Sequence, residues 1–223
     1  AGFPCTDISQ AGRKAGIDGA QSGLVSNIFR LLDASSRKPE YILIENVSYL
    51  LRLQQGRGLY TVLNAIRERG YRWAYRVVDA RSFGLPQRRQ RVIILASIHH
   101  DPAPILFNDD AFKDYAQYDK IGRVENRSLY GFYWTEGKRG LGWTRHAVPT
   151  IKGGSGLGIP SAPAIWDPRT GRFGTPTISD GEALQGFPRG WTSTEGDAPS
   201  SRSEGARWKQ VGNAVSVPMS EWV

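Results

Sequence analysis

One thiol, one carboxylate and a short basic run are the residues of this chain whose types and spacing suit covalent chemistry. Cys5 is the only cysteine in 223 residues, so it makes no disulfide within the chain and no thiolate cluster for zinc. Two uses remain, a buried inert thiol or a nucleophile. Its setting, Gly2-Phe3-Pro4-Cys5-Thr6-Asp7-Ile8-Ser9, favours the second. Pro4 stiffens the backbone just before the thiol, and Asp7 and Ser9 are residue types that open a helix or turn. A thiolate is stabilised and aimed in such a place. Glu45 follows the apolar run Tyr41-Ile42-Leu43-Ile44. It is either a carboxylate at the ligand-binding end of a strand or a solvated side chain beside a capping Asn46. Gln87-Arg88-Arg89-Gln90-Arg91-Val92 opens another apolar run. On a strand, Arg89 and Arg91 share a face and Arg88 points the other way, towards solvent.

The elements that must position these groups read as an α/β alternation. Leu24, Ile28, Leu31 and Leu32 fall on one helical face, and Leu59, Val62, Leu63 and Ile66 on another, with Gly70 placed to end the second helix. Tyr41–Ile44 has the short, continuous apolar character of a buried parallel strand, and Tyr75–Val78 and Val92–Ala96 are two more strands. From about residue 99 to 175, Gly, Pro, Trp, Tyr and charge mix without a sustained period, which predicts a separate region of loops and short strands. Order returns at Pro176, where Thr177 or Ser179 caps a helix running toward Gly186. Residues 193–206 are rich in Ser, Gly, Glu and Ala and read as a loop. The organisation expected is therefore 1–98, 99–175 and 176–223.

Taken together, the Cys5 octapeptide, Glu45-Asn46-Val47, the Gln87–Val92 block and Gln210-Val211-Gly212-Asn213-Ala214-Val215-Ser216-Val217-Pro218 resemble, in type and order, the motifs of the cytosine-C5 DNA methyltransferases. The resemblance covers roughly residues 1–98 and 176–223, and the middle takes the place of that family's variable target-recognition region. It implies an α/β fold with a partial Rossmann-like S-adenosylmethionine-dependent methyltransferase sheet plus a small, loop-rich recognition region. It also implies base flipping, because C6 of cytosine is reached from above a ring that stacking covers. Cys5 is then the nucleophile that adds to C6. Glu45 is the residue at cytosine N3 and its exocyclic amine, where it counters charge building on the ring. Gln87, Arg89 and Arg91 line the site, with Arg91 at cytosine O2. Phe3, Pro4, Asn213 and Ser216 or its neighbours lie at the cofactor, S-adenosyl-L-methionine. Gly212 provides a tight turn in this segment. Leu184-Gln185-Gly186-Phe187-Pro188 is a packing segment that supports the recognition region. Arg145 and Lys152 are among the basic residues expected to touch double-stranded DNA.

Composition agrees. A formal net charge of +8 favours a polyanionic partner. No apolar stretch reaches the ~18–20 residues of a membrane span, no signal peptide is visible, and one cysteine suits a reducing interior; the resemblance implies a cytoplasmic, bacterial or phage-encoded protein. The three histidines show no ligand spacing, so no metal site is expected. Gly154-Ser155-Gly156-Leu157-Gly158 looks like a nucleotide-binding glycine loop, but it follows no convincing strand and Pro160 blocks the helix it must open. The pattern departs from the family at Thr6, where Gln is usual, and in the absence of the Phe-x-Gly-x-Gly cofactor loop ahead of the thiol. The chain therefore reads as a fragment that binds cofactor weakly alone, with a missing N-terminal segment or a complementary chain. The alternatives are the family's RNA-methylating branch, or an inactive nucleic-acid-binding half of a split enzyme.

Overall fold

A computed structural model describes residues 1–2, 24–108, 115, 119, 122–133, 142–153, 163–194 and 201–223. Phe3, Pro4, Cys5, Thr6 and the Gly154–Gly158 run lie outside the described residues. The chain divides into two compact units, one of residues 1–78 and 90–112, the other of residues 79–89 and 113–223. The 176–223 segment falls in the second unit together with residues 113–175.

The first unit is a sheet with helices against it. In chain order it holds α1 (Leu24–Ala34), β1 (Tyr41–Val47), α2 (Arg57–Glu68) and β2 (Arg72–Asp79, its last residue belonging to the other unit), then β4 (Gln90–Ser97) and the short α3 (Ala103–Leu106). The strand order is β1-β4-β2. β1 and β4 run antiparallel, from Tyr41 opposite Ser97 to Val47 opposite Arg91, where a parallel strand was expected. The apolar content of a run reports how deeply it is covered, not its direction.

Alternation in β1 buries Ile42, Ile44 and Asn46 and leaves Leu43, Glu45 and Val47 partly open on the other face. In β4 every residue from Arg91 to Ser97 is buried. The core joins Ile42, Ile44, Val92 and Ile94 of these strands to Val62, Leu63 and Ile66 of α2 and to Val25, Phe29 and Leu32 of α1. The face of α2 is the one read from the sequence. In α1 the buried row is Val25, Phe29 and Leu32, with Ile28 only partly covered, while Leu31 is exposed. Gly70 takes a left-handed backbone just after α2.

The second unit contains β3 (Gln87–Arg88), β5 (Tyr130–Phe132), β6 (Thr144–Arg145), β7 (Val148–Pro149), β8 (Ala164–Asp167) and β9 (Arg172–Gly174). Three helices follow: α4 (Ile178–Leu184), α5 (Ser201–Asn213) and α6 (Val217–Trp222). β3 pairs parallel with β7, and β6-β5-β8-β9 form an antiparallel sheet. This sheet carries aromatic contacts, including Phe132 on Trp143 at 4.6 Å and Trp166 on Phe173 at 5.9 Å between ring centroids. α4 begins as expected, with Thr177 and Asp180 in a reciprocal capping box. α5 already runs from Ser201, so the loop expected over 193–206 gives way to helix several residues early. Gly212 is inside that helix instead of in a tight turn.

Glu182 on α4 is fully buried. Its carboxylate accepts from Thr192 N at 2.8 Å, Arg207 Nη2 at 3.1 Å, Gly190 N and the Thr192 hydroxyl. Burial pushes this carboxyl up, but those donors outweigh it and hold it below the usual glutamate value. A carboxyl depressed in the folded state stabilises fully above its unfolded pKa, and that contribution is lost as pH falls through the folded value. Glu182→Ala, which leaves Arg207 and two backbone N–H groups without their acceptor, is expected to cost roughly 3 kcal/mol. Urea denaturation at pH 7 measures it, and the gap between variant and parent should close as the pH is taken below the carboxylate range.

Candidate active site

The first unit places Glu45 and Arg91 together. Because Val47 is opposite Arg91 and Glu45 opposite Ile93, the two side chains are diagonal neighbours on an antiparallel pair. Arg91 Nε lies 2.6 Å from Glu45 Oε1, with side-chain exposures of 9% and 18%. Arg91 Nη1 also donates to the Gln90 carbonyl at 2.8 Å. Glu45 is inside β1, two residues before its end, the strand running three residues past the Ile44 at which the sequence reading ended it. One of its oxygens faces the Arg91 guanidinium, which fixes the direction of the carboxylate.

The backbone at the start of the chain joins β1 at the same residue. Gly2 forms a parallel bridge with Glu45. Glu45 N donates to Ala1 O at 3.1 Å, and the Ala1 amino group donates to Leu43 O. A Cβ built on Gly2 would come within 3.7 Å of Glu45 Oε2. The peptide that leads to Cys5 thus passes beside the carboxylate, three residues ahead of the thiol in sequence.

Arg89 does not share this arrangement. It falls between β3 and β4, so the alternation that would put it on one face with Arg91 is broken there. It is 2% exposed. Its Nη1 donates to Ile151 O at 3.3 Å, and its Nη2 to Gly212 O at 3.2 Å and Ala214 O at 2.7 Å. All three acceptors belong to the second unit. Gln87, expected to line the site, is fully buried. It accepts from Ile151 N at 3.0 Å and donates to Leu184 O at 2.8 Å and Gln185 Oε1 at 3.3 Å. Arg88, expected in solvent, is half-buried and donates to Gly142 O and Trp143 O at 2.9 and 3.1 Å.

Of the positions expected at the cofactor, two are described. Ser216 is fully buried and its hydroxyl donates to Gln185 Oε1 at 2.7 Å. Asn213 is exposed at the end of α5, and a Cβ built on Gly153 would meet its Oδ1 at 3.3 Å. Arg145 pairs with Glu125, and Lys152 Nζ sits 4.1 Å from the centre of the Tyr133 ring. Gln185, read from the sequence as part of a packing segment, is a buried polar hub that also donates to Val211 O at 2.8 Å. A glutamine following Ala183-Leu184 in an otherwise apolar helix end was the one signal of it. Among the described residues, no cluster of three His, Cys, Asp or Glu is placed to hold a metal ion. Among them too, no helix is long and apolar enough to cross a membrane.

Comparison with known proteins bears on this geometry. The profile of the family described as C-5 cytosine-specific DNA methylase matches residues 1–152. The type II methyltransferase M2.BsuMI of Bacillus subtilis is 51% identical over the whole of this chain, which spans 58% of that protein's length. The type II methyltransferase M.NlaX of Neisseria lactamica is 29% identical over 98% of this chain and 72% of its own length. Among solved structures, the S. pombe Dnmt2 methyltransferase aligns over 100% of this chain and 75% of its own, with a TM-score of 0.60 at 18% identity. The Entamoeba histolytica methyltransferase EhMeth aligns over the same shares with a TM-score of 0.61 at 15% identity. These two likenesses establish the fold.

The ion pair itself is open to test. Glu45→Gln leaves the enclosed Arg91 guanidinium facing a neutral amide, and the loss of stability expected is roughly 2 kcal/mol. Equilibrium denaturation measures it, and a change under about 0.5 kcal/mol would show that solvent already screens the pair.

Proposed function

The chain belongs to the C-5 cytosine-specific DNA methylase family, and on that premise we propose that the protein methylates C5 of cytosine in double-stranded DNA, with the base flipped out of the helix. The observation that carries this reading is the meeting at Glu45. Its carboxylate is oriented by Arg91 at 2.6 Å, and the backbone bridge from Gly2 leads to Cys5 three residues later.

In the proposed reaction, cytosine C5 must first be made nucleophilic, because the aromatic ring is a poor attacking group. The Cys5 thiolate forms a bond to C6, and the electrons of the C5–C6 double bond move to C5. Glu45 accepts from the exocyclic amine and holds a proton at N3, which offsets charge developing on the ring. Arg91 donates to O2 and keeps the carboxylate turned toward the base. When bound, S-adenosylmethionine would supply the methyl group that C5 takes and would be left as its neutral thioether. Loss of the C5 proton and cleavage of the C6–S bond restore the ring and free the Cys5 thiolate. Asn213, an exposed residue at the end of α5, would hold the cofactor together with Phe3 and Pro4. Ser216 contributes by fixing the start of α6. Arg145 and Lys152 are the proposed DNA contacts, and a reducing cytoplasm is the proposed setting.

A DNA duplex carrying 5-fluorocytosine at the target tests the reading. After methyl transfer, C5 bears methyl and fluorine, no proton is left to remove, and the C6–S bond cannot break. The protein with S-adenosylmethionine should remain covalently attached to this DNA through denaturing electrophoresis, and Cys5→Ser should abolish the adduct. Glu45→Gln should slow its formation by about 10²–10³. Complexes that dissolve in high salt would instead mark a protein whose grip is counterion release alone. Faster methyl transfer to transfer RNA than to duplex DNA would move the substrate to RNA.

A further inference from the structure

Two segments distant in sequence touch backbone to backbone in the second unit. A Cβ built on Gly212 would lie 2.3 Å from Gly153 N and 2.4 Å from the Lys152 carbonyl carbon, and one built on Gly153 would lie 3.2 Å from Lys209 O. No side chain fits in this contact from the Gly212 side, since real Cβ contacts do not approach so closely. Arg89 holds it from within. Its planar fork donates to Ile151 O on one side and to Gly212 O and Ala214 O on the other.

The residues leading into the contact are pinned one after another. Thr150 Oγ1 donates to Arg88 O at 2.7 Å, and Thr150 O accepts from the Tyr133 hydroxyl. Ile151 N donates to Gln87 and Ile151 O accepts from Arg89. Lys152 follows directly, its ammonium set against the Tyr133 ring. A flexible four-carbon side chain is thereby placed on a backbone fixed on both sides.

We propose that Arg89 is a positioning residue: through the Gly212–Gly153 contact it fixes Lys152 for the DNA backbone, and it does not touch the reacting base. The role rests on the DNA-methylating function proposed above. It separates Arg89 from Arg91, although the two stand two residues apart in one motif. Lysine cannot replace Arg89 here, because a single ammonium does not span acceptors on both sides of the contact.

Equilibrium binding of the protein to its DNA across a salt series tests this apart from catalysis. Arg89→Lys and Gly212→Ala should each weaken binding about tenfold and reduce the slope of log affinity against log salt by about one, the effect also expected of Lys152→Ala. The double variant Arg89→Lys/Gly212→Ala should be no weaker than either single one, since both act on the same contact. At saturating DNA, kcat for Arg89→Lys should fall by a smaller factor than affinity. A variant with unchanged affinity and salt slope but a kcat lowered by about 10² or more would overturn the proposal, since that split marks a contact made only in the transition state. If either variant fails to fold, Gly153→Ala carries the test. Its Cβ meets Lys209 and Asn213 at 3.2–3.3 Å, so it opens the contact slightly. The same loss of affinity is expected, and unchanged affinity would overturn the proposal. A parent protein that binds DNA in this way yet gives no 5-fluorocytosine adduct would defeat the proposed activity and leave the positioning role standing.

Discussion

The antiparallel register of β1 on β4 is the constraint on which the candidate active site depends. With Val47 opposite Arg91, Glu45 falls on the diagonal from Arg91 and within 2.6 Å of its Nε. A slip of one residue would turn Glu45 to the face now occupied by Ile44 and Asn46, and a carboxylate would replace apolar contacts with α2. The core therefore enforces the register, and the register places the charges. Burial of Ile42, Ile44, Val92 and Ile94 against α1 and α2 is in this sense what aims the carboxylate. The same strand receives Gly2 at Glu45, so one residue of β1 is joined both to the arginine and to the peptide that carries the thiol.

The second unit solves a different problem with different physics. Its described strands are short, and its interior contains polar hubs. Gln87, Gln185 and Ser216 satisfy one another and the backbone around Ile151, Leu184 and Val211. Buried amides of this kind stabilise little in net terms but cost heavily when a partner is removed. They specify which segments meet. The Arg89 fork and the side-chain-free contact of Gly212 with Gly153 serve the same end, at a place where an apolar side chain would hold the segments too far apart.

Much of the first unit was legible in the sequence because its signals are local. The periodicity of Leu59, Val62, Leu63 and Ile66 marked the buried face of α2, and in the second unit the Thr177 or Ser179 cap signal marked the start of α4, where the cap is Thr177 with Asp180 as its partner. Direction was not legible: Tyr41–Ile44 reads as a buried strand in either orientation, and the partner that makes it antiparallel lies some fifty residues on. In α1 the buried row is Val25, Phe29 and Leu32, so of the apolar positions read from the sequence Leu32 is covered and Leu31 is exposed. The resemblance implied that Glu45 and Arg91 both stand at the base, but neither their ion pair nor the separation of Arg89 from Arg91 was read from the sequence. Strand alternation predicts a common face only when one strand runs through both residues, and the chain leaves β3 before entering β4. Gly212 was read as a turn former since glycine's backbone freedom is its usual signature. Its use here, the absence of a side chain inside a helix, depends on Gly153 and is visible only in three dimensions.

The central claim is that Cys5 and the Glu45–Arg91 pair convert cytosine C5 into a nucleophilic carbon. The most direct measurement is exchange of the C5 hydrogen of target cytosine with solvent, followed by tritium release from labelled DNA. It is made with S-adenosylhomocysteine, which has no methyl to give, in place of the donor. Addition of the thiolate at C6 makes C5 protonatable, and reversal then returns the base with its hydrogen exchanged. The account predicts release well above the rate for DNA alone, abolished by Cys5→Ser and slowed by Glu45→Gln. Release that survives Cys5→Ser, or methyl transfer to C5 without any exchange, would contradict it.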